Sequence, residues 1–211
     1  MNNPILIIGA NSLGRTAKDI FEENEVVVYG FLDDDKSLHD TEIDEVGVLG
    51  SSEDESFLTL VGKKCESFVA VDDNRVRKSL VKLLNEEYKV QPVNAIHKRA
   101  VISKRADIGH GNLIDADVLI GNRSKIGNHC ILNTRVTIGA GAAVGNFSQI
   151  GAGAIVGSEV SIEEEVFIGS GVTIVAGISI GKGARVGAGS VVVAPVAKGE
   201  TVFGNPAQVV K

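Results

Sequence analysis

The sequence predicts a small α/β domain with a parallel sheet, followed by a parallel β-helix of hexapeptide repeats. Three observations carry this. Stepping by six from Ile102 gives Ile108, Ile114, Ile120, Ile126, Leu132, Ile138 and Val144, then Ile150, Val156, Ile162, Ile168, Ile174, Ile180, Val186 and Val192, an aliphatic residue at each step with no insertion. Glycine often follows that aliphatic, and most of the 25 glycines lie from Gly109 onward. Residues 1–94 instead alternate apolar strand-like runs with amphipathic helix-like stretches.

Each hexad reads as one short strand and one corner. The aliphatic points inward, and four residues later a smaller side chain fills the space beside it: Ala106, Ser124, Cys130, Val136, Ala142, Ser148, Ala154 and Val160. Glycine after the aliphatic permits a corner that a Cβ would obstruct. Three hexads close a triangular coil, which advances by about one strand spacing of 4.8 Å. Ile108, Ile126 and Val144 should then stack. A coiled coil would show a period near 3.5, and a sandwich would show irregular strand lengths.

In residues 1–94, Ile5-Leu6-Ile7-Ile8 reads as a strand buried on both faces, running into Gly9-Ala10-Asn11-Ser12-Leu13-Gly14. Leu13, Ala17, Ile20 and Phe21 follow at helical spacing. A second strand, Val26 to Leu32, ends in Asp33-Asp34-Asp35; a third, Ser67 to Val71, ends in Asp72-Asp73-Asn74 ahead of a helix with Val76, Leu80, Leu83 and Leu84 on one face. This is Rossmann-like, and ligands of such sheets bind beyond the carboxyl ends of the strands. Asn11 stands where the dinucleotide fingerprint has its second glycine, which argues against a dinucleotide; another ligand site or a plain tight turn remain.

Composition sets outer limits. A net charge of −6 with dispersed Lys and Arg argues against nucleic acid. No apolar run suffices for a membrane span, and Met1-Asn2-Asn3-Pro4 has no leader-like order, so a cytoplasmic protein is expected. Cys65 and Cys130 read as two buried thiols.

The order of several motifs resembles one family of hexapeptide-repeat acyltransferases, the sialic-acid O-acetyltransferases and nucleotide-amino-sugar N-acetyltransferases. The motifs are Gly9-Ala10-Asn11-Ser12-Leu13-Gly14, Phe31-Leu32-Asp33-Asp34, Val69-Ala70-Val71-Asp72-Asp73-Asn74 with Arg77, Ile96-His97, Ile131-Leu132-Asn133-Thr134, and Val202-Phe203-Gly204-Asn205-Pro206-Ala207. The resemblance implies a left-handed β-helix over residues 95–211 and a nucleotide-sugar-binding domain over 1–94. It also implies a homotrimer, with acetyl-CoA as cosubstrate between neighbouring helices and no metal. Implied substrate residues are Gly9, Asn11, Ser12, Asp33, Asp34, Asp72 and Asn74. Implied cofactor residues are Ser158, Gly177, Gly187, Ala188, Gly189 and Pro206, with Lys182, Arg185 and Lys198 as candidate phosphate contacts.

In that family a histidine on a coil deprotonates the acceptor amine or hydroxyl. Aligned on Asn133-Thr134 and on Gly145-x-Phe147-Ser148, the base position here is Ala140, its acidic neighbours are Gly139 and Gly141, and a second histidine is Gln149. An alanine accepts no proton. Asn133 and Gln149 are what the resemblance leaves as catalytic-site residues. His110 and His129 fall near another corner, His97 reads as structural, and Glu159, one coil above Ala140, is a weak substitute base or an exposed corner residue.

Two functions follow: an acetyl-CoA-dependent acyltransferase acting on a sugar, with O- or N-transfer open, or an inactive relative with a binding, regulatory or scaffolding role. A zinc enzyme is disfavoured because the helix offers two histidines where three protein ligands are usual. Outward apolar residues Val118, Leu119, Ile131, Val191 and Val193 are expected to support a symmetric trimer.

Overall fold

The computed structural model describes residues 3–210; Met1 and Asn2, half of the stretch read for a leader, lie outside it. It divides into two compact units between Lys98 and Arg99.

The first unit is built on β1 (Ile5–Ile8), whose four residues are all buried. Its parallel neighbours are β2 (Val28–Leu32) and β5 (Glu66–Val69). Beyond β2 lies a short hairpin, β3 (Glu42–Ile43) and β4 (Val46–Gly50), giving the order β3-β4-β2-β1-β5. Helix α1 (Ser12–Glu23) packs on β1 and β2 through Leu13, Ala17, Ile20 and Phe21, and Phe21 meets Phe68 edge-on at 5.8 Å. A one-turn helix α2 (Glu55–Leu58) and α3 (Asn74–Glu86) complete the unit. Two strands differ in their bounds from the sequence expectation: β5 runs Glu66–Val69 rather than Ser67 to Val71, and β2 begins two residues late. β2 starts at Val28 because Glu25 takes a positive φ of 60° and turns the chain. The hairpin carries too short a pattern to be read in advance.

The second unit is the parallel β-helix. Its first face stacks Val101–Ile102, Leu119–Ile120, Thr137–Ile138, Ile155–Val156, Thr173–Ile174 and Val191–Val192. The second stacks Asp107–Ile108, Lys125–Ile126, Ala143–Val144, Ser161–Ile162 and Ser179–Ile180. The third runs from Leu113–Ile114 through Ile131–Leu132, Gln149–Ile150, Phe167–Ile168 and Arg185–Val186 to a closing hairpin, Thr201–Gly204 with Ala207–Val209. Ile126 pairs with both Ile108 and Val144, so the expected stack exists.

The inward ladder is buried from Ile114 to Val192, as are the small residues beside it. Two polar side chains in that interior bond to neighbouring backbone: Ser124 Oγ donates to the Gly139 carbonyl at 2.8 Å, and Asn112 Oδ1 accepts from Cys130 N at 2.7 Å.

The corners work differently from the sequence expectation. Where glycine follows the aliphatic it permits close approach: a Cβ on Gly139 would stand 2.5 Å from Ser158 N of the next coil. The left-handed residue sits two positions later, at every sixth residue from Gly111 to Gly189, and includes Asp117, Arg123, His129, Arg135, Phe147, Glu159 and Glu165. Val118 is not outward. It lies four residues after Ile114, in the inward small-residue slot, and is fully buried. Ile131, on its ladder between Leu113 and Gln149, is also buried, whereas Leu119 and Val193 are exposed. No helix among the described residues is long and apolar enough to cross a membrane.

Candidate functional site

In the first unit the chain leaves β1 and β5 on opposite sides of a switch point, where open α/β sheets hold ligands. A cleft of about 200 Å³ opens there, lined by Gly9, Asn11, Asp33, Asp34, Ser52, Val71, Val76 and Leu80 among others. It adjoins a second of about 280 Å³ that adds Glu53, Arg75 and Ser79. Gly9 is sterically required: its φ is +112°, and a Cβ would stand 2.3 Å from the Ala70 carbonyl oxygen.

Of the seven expected substrate residues, Gly9, Asn11, Asp33 and Asp34 line the cleft; Ser12, Asp72 and Asn74 do not. Asn11 caps α1, its Oδ1 accepting from Leu13 N at 2.9 Å and Gly14 N at 3.2 Å. This is why an asparagine replaces the fingerprint glycine, and it occupies amides that a pyrophosphate would otherwise meet. Asp33 accepts from Ala10 N at 2.7 Å and Asp35 N at 2.9 Å, and His39 Nε2 bonds its carbonyl at 2.7 Å. Asp34 holds Ser52 through its N–H at 2.9 Å and its hydroxyl at 3.0 Å. These carboxylates therefore brace the rim, each retaining further lone pairs toward the cleft. Asn74 accepts from the buried Arg77, which also donates to the carbonyls of Val71 and Asp72 at 2.5 and 3.1 Å. Arg77 thus shapes the end of β5. Ser52, Arg75 and Glu53 were not anticipated; Val76 and Leu80 were, but as ordinary helix-face residues.

On the β-helix the expected residues separate onto different edges. Ala140 is exposed on the edge between the first and second faces. Gly141 N donates to the Asn122 carbonyl and Glu159 N to the Ala140 carbonyl, so Asn122, Ala140, Ser158 and Ala176 form one column. Ser158 and Gly177 share this edge and are exposed. Asn133, Gly187, Ala188 and Gly189 lie on the edge between the third and first faces. Asn133 Nδ2 donates to the Ile150 carbonyl at 3.0 Å, so its amide donor is already engaged. The closing hairpin with Pro206 is tied to that same edge: Gly204 N donates to Ser190 Oγ at 3.1 Å, and Phe203 packs on Gly187. Gln149 is half-buried on the third face, across the coil from the Ala140 edge.

The remaining histidines stay apart from both edges. His129 is buried and stacks on Phe147 at 4.9 Å, while His110 is exposed at the third edge. His97 bonds Glu23 at 3.3 Å. Lys182, expected as a phosphate contact, is committed elsewhere: its ammonium meets Glu164 at 2.9 Å and Glu165 at 3.3 Å, which raises its pKa, and its N–H donates to Glu163. Arg185 lies over the Phe167 ring at 4.6 Å. Among the described residues no three His, Cys, Asp or Glu side chains gather as a metal site would require.

Residues 4–84 match the family described as the PglD N-terminal domain, and residues 159–194 match the hexapeptide repeat of succinyl-transferase. The chain thus carries a PglD-type N-terminal domain followed by hexapeptide repeats. Among solved structures, this PglD-type chain is similar to perosamine N-acetyltransferase from Caulobacter crescentus in complex with CoA and GDP-perosamine, at 28% identity and TM-score 0.89 over 99% of this chain and 97% of that one. It is similar to the acetyltransferase domain of PglB from Neisseria gonorrhoeae in complex with acetyl coenzyme A, at 26% identity and TM-score 0.91 over 100% of both. WeeI from Acinetobacter baumannii aligns at 28% identity and TM-score 0.84, over 98% and 99%. The Caulobacter enzyme is also solved, with both ligands, as a variant in which a histidine is replaced by alanine. A comparison with curated proteins finds no match.

Proposed function

We propose that this chain is an acetyl-CoA-dependent N-acetyltransferase of a nucleotide-linked amino sugar. The observation that carries the proposal is similarity along the whole chain to two acetyltransferase structures, one with CoA and a nucleotide sugar and one with acetyl-CoA. The first unit would hold the nucleotide sugar in the cleft of Asp33, Asp34 and Ser52, with Arg75 as the cation at its margin. The β-helix edges would hold acetyl-CoA. Glycine and alanine at 140, 141, 176, 177 and 187–189 keep those edges free of bulk, which suits a thin pantetheine arm running past backbone.

One chain does not bring Ala140, Asn133 and Gln149 together, since they lie on two edges and a face. A complete site therefore calls for a neighbour, and we propose the homotrimer. The first face supports it: its outward ladder, Val101, Leu119, Thr137, Ile155, Thr173 and Val191, is uncharged and largely apolar.

A second reading keeps the binding and loses the chemistry, because Ala140 offers no base and a relative with histidine replaced by alanine still holds CoA and GDP-perosamine. Calorimetric titration with acetyl-CoA, and thiol release in the presence of nucleotide-linked amino sugars, separate the two. Binding with turnover supports the enzyme; binding without turnover supports the inactive relative; no binding refutes both. A monomer in light scattering would refute the shared site.

A further inference from the structure

The upper parts of the first face and its two edges are almost devoid of charge. From Thr137 upward they comprise residues 137–142, 151–160, 169–178 and 187–196, and these are built from Gly, Ala, Ser, Thr, Val, Ile and one Pro, with a single exception. That exception is Glu159. It is exposed, and it stands on the Ala140 edge with its N–H donating to the Ala140 carbonyl at 3.0 Å. Its carboxylate lies over Gly141: a Cβ there would be 2.2 Å from Oε1 and 2.8 Å from Oε2. Glycine at 141 therefore makes the seat that the carboxylate occupies, and with alanine at 140 no large side chain screens it.

The nearby carboxylates are spent. Glu163, Glu164 and Glu165 gather on Lys182, Asp115 accepts from Thr134 Oγ1, and Asp117 pairs with Arg99 and Arg135. The Glu159 carboxylate makes no hydrogen bond or ion pair with any described residue. Glu159 is thus an unpaired carboxylate on an otherwise uncharged stretch of the face, at a left-handed position of φ +58° that glycine fills directly above and below.

We propose that Glu159 is the general base of this chain, an inference that rests on the acyl-transfer reading above. The acceptor nitrogen's lone pair forms the N–C bond to the thioester carbonyl carbon, and the carbonyl π pair moves onto oxygen. The nitrogen, acidified by its new bond, passes its proton to the Glu159 carboxylate. The oxyanion then re-forms the carbonyl and expels the CoA thiolate, which takes that proton and leaves as the thiol.

The test uses the full-length assembly, GDP-perosamine and other nucleotide-linked amino sugars as acceptors, and thiol release as the readout. Glu159→Gln should lower kcat by about 100-fold or more, while calorimetric affinity for CoA changes by less than about threefold. Glu159→Asp should keep part of the rate, and Gly141→Ala, which evicts the carboxylate from its seat, should lower kcat. A Glu159→Gln enzyme whose kcat stays within about threefold of the parent overturns the inference and leaves the acetyltransferase assignment standing. A parent that binds acetyl-CoA without turnover while Ala140→His turns over also overturns the inference, and it supports the inactive relative instead. Failure of the parent to bind acetyl-CoA removes the assignment, and this inference with it.

Discussion

Gly151 and Gly153 occupy one corner, two residues apart, and a methyl group should affect them very differently. A Cβ on Gly151 would lie 2.4 Å from Ser170 N and 2.6 Å from Gly169 C, both backbone atoms of the next coil, whereas ordinary contact begins at 3.4 Å. The coils must part by about 1 Å, which stretches the bonds from Gly151 N to the Ile168 carbonyl (2.7 Å) and from Gly171 N to the Ala152 carbonyl (2.9 Å). Losing two such bonds costs about 1 kcal/mol each and overpacking about 1–3 more, so Gly151→Ala should destabilise by roughly 3–5 kcal/mol. Gly153 has a φ of +67° with nothing within 4 Å of its would-be Cβ, so Gly153→Ala incurs only the left-handed torsion, about 1 kcal/mol. Denaturant unfolding at one fixed chain concentration measures both, since any assembly makes midpoints concentration-dependent. Equal midpoints, or a less stable Gly153→Ala, would refute the division of glycines into close-approach and left-handed classes.

Other perturbations test the site. Ala140→His should raise turnover by about 10-fold or more and add an acid limb to kcat/KM near the usual imidazole value of about 6.5; an unchanged rate would mean that residue 140 does not face the thioester. Arg77→Met leaves the Val71 and Asp72 carbonyls without their donor, and should cost about 3 kcal/mol and abolish nucleotide-sugar binding, read by melting and calorimetry. Asp73 caps α3; accepting from Val76 N, and then from Arg75 N, holds its carboxyl below the usual range. A depressed folded value means that the stabilisation is present above the unfolded value of about 3.9 and is lost as pH falls through the folded one. Protection of the amides at the start of α3, taken against the intrinsic exchange rate at each pH, should therefore fall below about pH 4 in the parent, and Asp73→Asn should flatten that dependence while keeping the cap.

The β-helix was legible because one constraint repeats: a residue facing inward on one coil must face inward on the next. The left-handed corner residue was not, because Asp117, His129 and Phe147 occupy it as readily as glycine and leave no compositional trace. Val118 was misplaced for want of register, since its distance of four from Ile114 already assigned it inward. Register would also have revealed the Lys182 cluster, because Glu164 lies 18 residues earlier, one coil below. The cleft of the first unit was half legible. Gly9, Asn11, Asp33 and Asp34 lie where strands end, but Ser52 arrives from a hairpin too short to pattern, and Val76 and Leu80 follow the helical spacing of core residues.

The distribution of chemistry over the prism then has a physical rationale. A parallel β-helix presents each column as a ladder with one coil-height between rungs, so a single side chain at an edge is held by backbone pairing on both sides. Holding a reactive group there needs no loop, only room, and room is what Gly141 beneath Glu159 and Gly177 above it supply. The same rigidity prevents one chain from folding an edge toward another edge or toward the opposite face. Asn133 and the Gly187–Gly189 strip cannot approach Ala140, Ser158 and Glu159 within a chain, and docking of a second chain along the uncharged first face, as proposed above, would bring the two sets together.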